Sequence, residues 1–174
     1  MTAFAGGIRR VQLCRPAAAT ILREASESRD GRETGGILLG HVRADGTVEV
    51  RCAGGPGPVA VRQPRFFLRD LDHAWCIAEE AFARDGSTWI GEWHTHPTTA
   101  PMPSDRDLYT YVRLLADPDL HFEVVLSIIV VGQGDWSDPV ACAWACYPNR
   151  AEGVPLVVDR PCAVAGTPLM EENP

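Results

Sequence analysis

Glycine and proline cut this chain into short pieces. Sixteen glycines and fourteen prolines are spread over its 174 residues. The run Gly54-Gly55-Pro56-Gly57-Pro58 combines unrestrained backbone with missing N–H donors, so it reads as a loop rather than a helix or central strand. Gly86 stops one segment of helical periodicity and Asp117-Pro118 stops another, because a residue before proline is driven out of the helical region. A proline-bearing loop covers residues 97–103. With no repeat, coiled coil or long linker between these breaks, the chain must build one domain from short elements.

The pieces alternate in type. Pro16 and the alanines after it predict a first helix over residues 16–28, with proline in its first turn. Residues 35–42 and 47–52 read as a hairpin joined through Ala44-Asp45-Gly46. Leu71, Trp75, Ala78 and Phe82 recur at helical spacing and predict a second helix over residues 68–84. A strand over 88–96 follows. Leu108, Tyr111, Val112 and Leu115 place a third helix over 104–116, and strands are expected over 123–131 and 136–147. Helices interleaved with strands and a hairpin define the α/β (α+β) class, with a mixed central sheet flanked by helices. Residues 1–150 are expected to form the domain. Residues 151–174 read as a Pro-rich extension ending in an acidic tail, Glu171-Glu172, where order is least expected.

Composition narrows the function. Apolar residues at 45% and charged residues at 22% belong to a folded globular chain. A net charge of −7 disfavours nucleic acid or an anionic membrane as a partner. All sixteen basic residues are arginine, which removes lysine Schiff-base chemistry and any P-loop. No stretch is long enough to span a bilayer and the first ten residues lack a signal-peptide core, so a cytoplasmic protein is expected. Six scattered cysteines without a CxxC pair read as reduced, packed thiols. Cys142 and Cys146 share a strand face.

One segment carries chemistry: Gly91-Glu92-Trp93-His94-Thr95-His96-Pro97. Residues two apart on a strand point to one face, so His94 and His96 project together and could bind one zinc. Downstream stand Ser104 and Asp107. A helix starting there would bring its first-turn carboxylate back toward the strand end, giving two nitrogens and one oxygen around an open fourth position. Ser-x-x-Asp before an apolar run is also the mark of a capped helix N-terminus, and one serine can serve both ends. His41, His73 and His121 have no partner at metal spacing. Trp89 and Trp93 alternate with Ile90 and Glu92, so both are expected on the opposite sheet face. Glu92 shares the face of His94, as a partner for a ligand histidine or a solvated edge residue. Spacing alone does not decide whether Glu92 or another carboxylate would be the base.

The pattern H-x-H-P-x6-S-x-x-D resembles the signature of the JAMM (MPN+ or JAB) metallopeptidases, complete at His94, His96, Ser104 and Asp107. Glu33, in Glu33-Thr34-Gly35-Gly36-Ile37-Leu38-Leu39-Gly40, stands where that family has an upstream glutamate, and the likeness runs from about Glu33 to at least Val131. It implies a single JAB/MPN domain with His94, His96 and Asp107 as ligands of one catalytic zinc. It also implies Glu33 as general base and Ser104 as stabiliser of the oxyanion. The short chain looks more like the bacterial JAB proteins, some of which sit in antiphage operons with activating- and conjugating-enzyme homologues. The implied reaction is zinc-dependent hydrolysis of the amide after the C-terminal glycine of a ubiquitin-like protein, in deconjugation or precursor processing. The implied alternatives are release of cysteine or a peptide from a sulfur-carrier protein, or a non-catalytic scaffold.

Overall fold

In a computed structural model, described for residues 7–28, 30–97, 100–132, 136 and 138–159, eight strands form one mixed sheet. In chain order the elements are β1 (Arg10–Cys14), α1 (Arg15–Glu27), β2 (Gly35–Val42), β3 (Thr47–Ala53), β4 (Val61–Gln63), β5 (Phe66–Leu68), α2 (Leu71–Asp85), β6 (Thr88–Thr95), α3 (Asp105–Ala116), β7 (Val125–Val131), β8 (Val140–Tyr147), β9 (Arg150–Val154) and β10 (Leu156–Asp159). The sheet order is β10-β1-β3-β2-β6-β7-β8-β9, with β4 and β5 forming a separate hairpin. β1 pairs in parallel with both β3 and β10, and β6 with β7; the other pairs are antiparallel.

The two end strands of that order, β9 and β10, are separated in sequence only by Pro155. One residue spans no more than about 7 Å between its neighbours, so the sheet curls until its ends meet. Val11 N donates to Pro155 O at 2.8 Å and Ile8 N to the Tyr147 hydroxyl at 2.9 Å, tying the first strand to the last ones. The boundary expected at residue 150 therefore falls inside the sheet. Residues 150–159 close it, turning back from β8 through Pro148-Asn149; the acidic tail lies outside the described residues.

Helices cover the two faces unequally. On one side α1 packs Ala17, Ala18, Ile21 and Ala25 against Val11, Leu13, Val48, Val50, Leu126 and Ile128. On the other side α2 lies over Ile37 and Leu39, and α3 lies over Val125 and Cys146. Of the apolar stripe that marks α2 only Ala78 meets the sheet, with Ala74, Ile77 and Ala81, while Leu71, Trp75 and Phe82 are exposed. Asp70 caps α2, accepting from His73 N at 3.2 Å, and Gly86 ends it at φ 72°. Among the described residues no helix is long and apolar enough to cross a membrane.

A bulge in β6 sets the orientation of everything beyond it. Leu38 pairs with Gly91 but Leu39 pairs with Trp89, so Ile90 is the extra residue. Gly91 has φ 156°, and a Cβ there would lie 1.9 Å from Leu126 O. Only glycine fits. The extra residue reverses the alternation, so Trp89 packs beside Ile37 and Leu39 on the same face as Glu92 and His94, while Trp93 is buried on the α1 side and donates to Gly54 O at 2.8 Å. The expectation that both tryptophans share the opposite face is corrected for Trp89, because strict alternation does not survive a bulge.

Candidate metal centre

His94 and His96 lie at the end of β6, the first inside it and the second just past it, where His96 N still donates to Val130 O at 2.9 Å. Both are almost fully buried. Their Nε2 atoms are 3.0 Å apart, and each lies 3.4 Å from Asp107 Oδ2. Donors bound to zinc at 2.0–2.1 Å with tetrahedral angles stand about 3.3–3.4 Å from one another. The two His–Asp edges match that length and the His–His edge is a few tenths of an ångström shorter, so the three donors fit one metal ion after a small adjustment. Among the described residues no other group of three or more His, Cys, Asp or Glu side chains converges in this way.

The aspartate is placed by the start of α3. Ser104 is the N-cap: its Oγ accepts from Asp107 N at 3.3 Å, while Ser104 N and Oγ each donate to Asp107 Oδ2 at 2.7 Å. This is a capping box with aspartate as its third helical residue. The cap and the candidate ligand set thus use the same oxygen. Burial pushes the Asp107 carboxyl up, but hydrogen bonds from His94 and His96, with that of Ser104, outweigh it and hold the group well below the usual carboxylate range. For His94, burial disfavours the charged ring; the hydrogen bond and charge of Asp107, helped by Glu92 and Glu33, outweigh it and raise its pKa.

Glu33 stands just before β2, its N–H donating to Gln63 O at 2.9 Å and its carbonyl accepting from Arg62 Nε at 3.2 Å. Its carboxyl faces two cavities that flank the triad. The smaller, about 190 Å³, also holds Glu92, Arg69, His94 and Asp107; the larger, about 840 Å³ and open, holds His96, Ser104, Pro97, Met102 and Arg65. Burial raises the Glu33 carboxyl against the pull of His94 and His96, the direction suited to a group that must accept and return a proton near neutrality. Glu92 shares the His94 face but is engaged in an ion pair with Arg69, each side chain 15% exposed.

The structure therefore brings Glu33, His94, His96, Ser104 and Asp107 together. His41 and His121 line a separate groove with Trp89 and Phe122, and His73 stays in the first turn of α2. The larger cavity is walled by Pro64 and Arg65 of the β4–β5 turn and, from the loop after His96, by Pro97, Ala100, Met102 and Pro103. Sequence reasoning missed Arg69 and Arg106. Arg106 stacks over Phe66 at 4.6 Å and donates to Arg65 O at 3.4 Å, clasping the hairpin to α3. No spacing rule marks either arginine.

Fold and centre together define a mixed α/β protein with a buried His-His-Asp set at a strand end, open on one side. A family model for prokaryotic homologs of the JAB domain matches residues 15–147, and the chain belongs to that family. It is 31% identical over 106 residues to a Vibrio cholerae protein named CD-NTase/cGAS isopeptidase; the match covers 60% of this chain and 64% of that protein. Two solution structures share the fold. One, from Desulfitobacterium hafniense, has a TM-score of 0.65 at 18% identity, covering 86% of this chain and 93% of that one. The other, from Salinibacter ruber, has a TM-score of 0.53 at 21% identity, covering 90% and 95%.

Proposed function

We propose that the chain is a zinc-dependent isopeptidase that hydrolyses the amide after the C-terminal glycine of a ubiquitin-like protein, in a bacterial conjugation pathway with activating- and conjugating-enzyme homologues as partners. The observation that carries this reading is the triangle of His94, His96 and Asp107 donors, 3.0–3.4 Å apart, beside a half-buried Glu33 that has no ion-pair partner among the described residues. The name of the Vibrio cholerae relative supports an isopeptide substrate.

His94, His96 and Asp107 would hold the ion. When bound, zinc supplies Lewis acidity to the scissile carbonyl and lowers the pKa of water to about 7. Glu33 accepts the proton of the attacking water on a carboxylate oxygen and later delivers it to the leaving amine; burial strengthens it as the base of the first half. The Ser104 hydroxyl donates to Asp107 in the absence of substrate, and a turn about its Cβ–Oγ bond redirects that proton to the developing oxyanion in the larger cavity. An extended C-terminal tail fits that open cleft.

The test is incubation with ubiquitin-like proteins bearing C-terminal extensions, read by intact-mass spectrometry. Cleavage directly after the terminal glycine is expected, stopped by a chelator and restored by zinc. Glu33→Gln should abolish cleavage while retaining zinc. If Glu33→Gln cleaves at the wild-type rate, or chelation leaves turnover intact, the reading is wrong.

A further inference from the structure

Two carboxylates outside the ligand set, Glu33 and Glu92, face the smaller cavity together with His94 and Asp107. Hydrolysis by a three-ligand centre requires that neither occupy the fourth position, and that only one act as base. Glu33 has no ion-pair partner among the described residues, whereas Glu92 is claimed by Arg69 through its Oε2. The claim is built into the fold. Arg69 sits at the junction of β5 and α2, next to the helix cap Asp70, and its guanidinium lies 5.4 Å from the centre of the Trp89 ring. Trp89 is on that face only because of the bulge at Ile90. Arg69 Nε is buried without a hydrogen-bond partner among the described residues, so Glu92 is its principal anchor.

Resting on the metal reading above, we propose that Arg69 is a positioning residue that withholds the Glu92 carboxylate from the metal centre, keeping three protein ligands and leaving Glu33 as the one free base. Arginine suits this task because its planar, permanently charged fork binds a carboxylate without the freedom of a lysine ammonium. Freed from Arg69, Glu92 is an oxygen donor two residues from His94 on the same strand face, and the centre moves toward the closed coordination of a structural site.

The experiment compares wild type, Arg69→Gln, Glu92→Gln and the double variant by zinc affinity in chelator competition and by the visible spectrum of the cobalt-substituted protein. Arg69→Gln is expected to bind zinc at least about tenfold more tightly, to change the cobalt bands, and to lose turnover. The double variant should return affinity and spectrum to wild type. An unchanged or weaker affinity in folded Arg69→Gln, or a double variant that does not revert, overturns the proposal. Glu92→Gln alone gives a check that leaves Arg69 in place: affinity within about twofold of wild type is expected, and a tenfold loss would show that Glu92 already serves the ion, which also overturns it. Wild type that takes up no zinc at all would instead overturn the metal reading itself.

Discussion

Replacing Asp107 with asparagine separates two tasks that one carboxylate oxygen performs. Oδ2 caps α3 by accepting from Ser104 N, and it is one corner of the candidate ligand set. An asparagine carbonyl can still accept from Ser104 N, so the cap survives; an amide is a poor zinc ligand, so the centre does not. Asp107→Ala loses the ligand and the side-chain half of the capping box, while Ser104 Oγ can still accept from the backbone N–H of residue 107. Loss of one capping hydrogen bond costs about 1 kcal/mol, which for a domain of this size lowers Tm by roughly 2–4 °C. Zinc at a hundredfold excess over its Kd should stabilise wild type by about 2.7 kcal/mol, or roughly 5–10 °C. The assay is thermal unfolding by circular dichroism, on chelated protein and after zinc addition. Free zinc is kept low because unfolded cysteines and histidines also bind it. Wild type should rise in Tm, both variants should not, and alanine should lie a few degrees below asparagine in the chelated state. The pH dependence has a fixed sign. The folded carboxyl titrates below its unfolded value, so its contribution is complete above the ordinary carboxylate range and is lost as pH falls through the lowered value. Chelated wild type and Asp107→Asn should therefore converge only in strong acid. A zinc-dependent Tm rise in Asp107→Asn matching wild type would refute the assignment of Asp107 as a ligand.

Three further outcomes are expected. Gly91→Val should destabilise the protein by several kcal/mol, on the order of the largest single-site effects, because its Cβ would lie 1.9 Å from Leu126 O; a denaturant midpoint equal to wild type would show that the bulge is dispensable. At pH 8.5 a thiol reagent should label exposed Cys76 and spare Cys146, whose thiol is pushed up to about 12 by burial and the charges of Glu92 and Asp107; both should label in denaturant, and rapid native labelling of Cys146 would contradict its environment. A chain ended at Asn149 lacks β9 and β10 and should lose cooperative unfolding, whereas retention of a sharp transition would show that closure of the sheet adds little.

The centre was more legible than the fold around it. His94, His96, Ser104 and Asp107 are close in sequence, so strand alternation and one capping box are enough to bring them together. The three helices and strands β2, β3, β6, β7 and β8 follow from periodicity and punctuation. Strand β1 does not, because five residues running directly into α1 leave no turn to mark a boundary. Likewise residues 151–174 read as a Pro-rich extension, although Pro155 sits between two strands of the sheet. The face of α2 was hidden for a different reason. Spacing finds the apolar stripe, but close packing on a sheet selects the smaller residues, and Ala74 and Ala81 take the place that Trp75 and Phe82 would need more room to fill. Bulges leave no pattern of their own, so the face of Trp89, and with it the seat of Arg69, is known only from the backbone.

Closure of the sheet has a kinetic consequence. Val11 pairs with Val48 on one side and with Leu156 on the other, so the first strand gains its second neighbour only after nearly all of the described chain has been made. During synthesis β2, β3 and β6 can align early, and with them both histidines, while α3 and its aspartate follow soon after. The last contact is the one between most distant residues, and loop closure makes such contacts slow. Until β10 arrives, β1 presents an unpaired edge. A nascent chain of this protein would thus assemble its chemistry before it completes its wall.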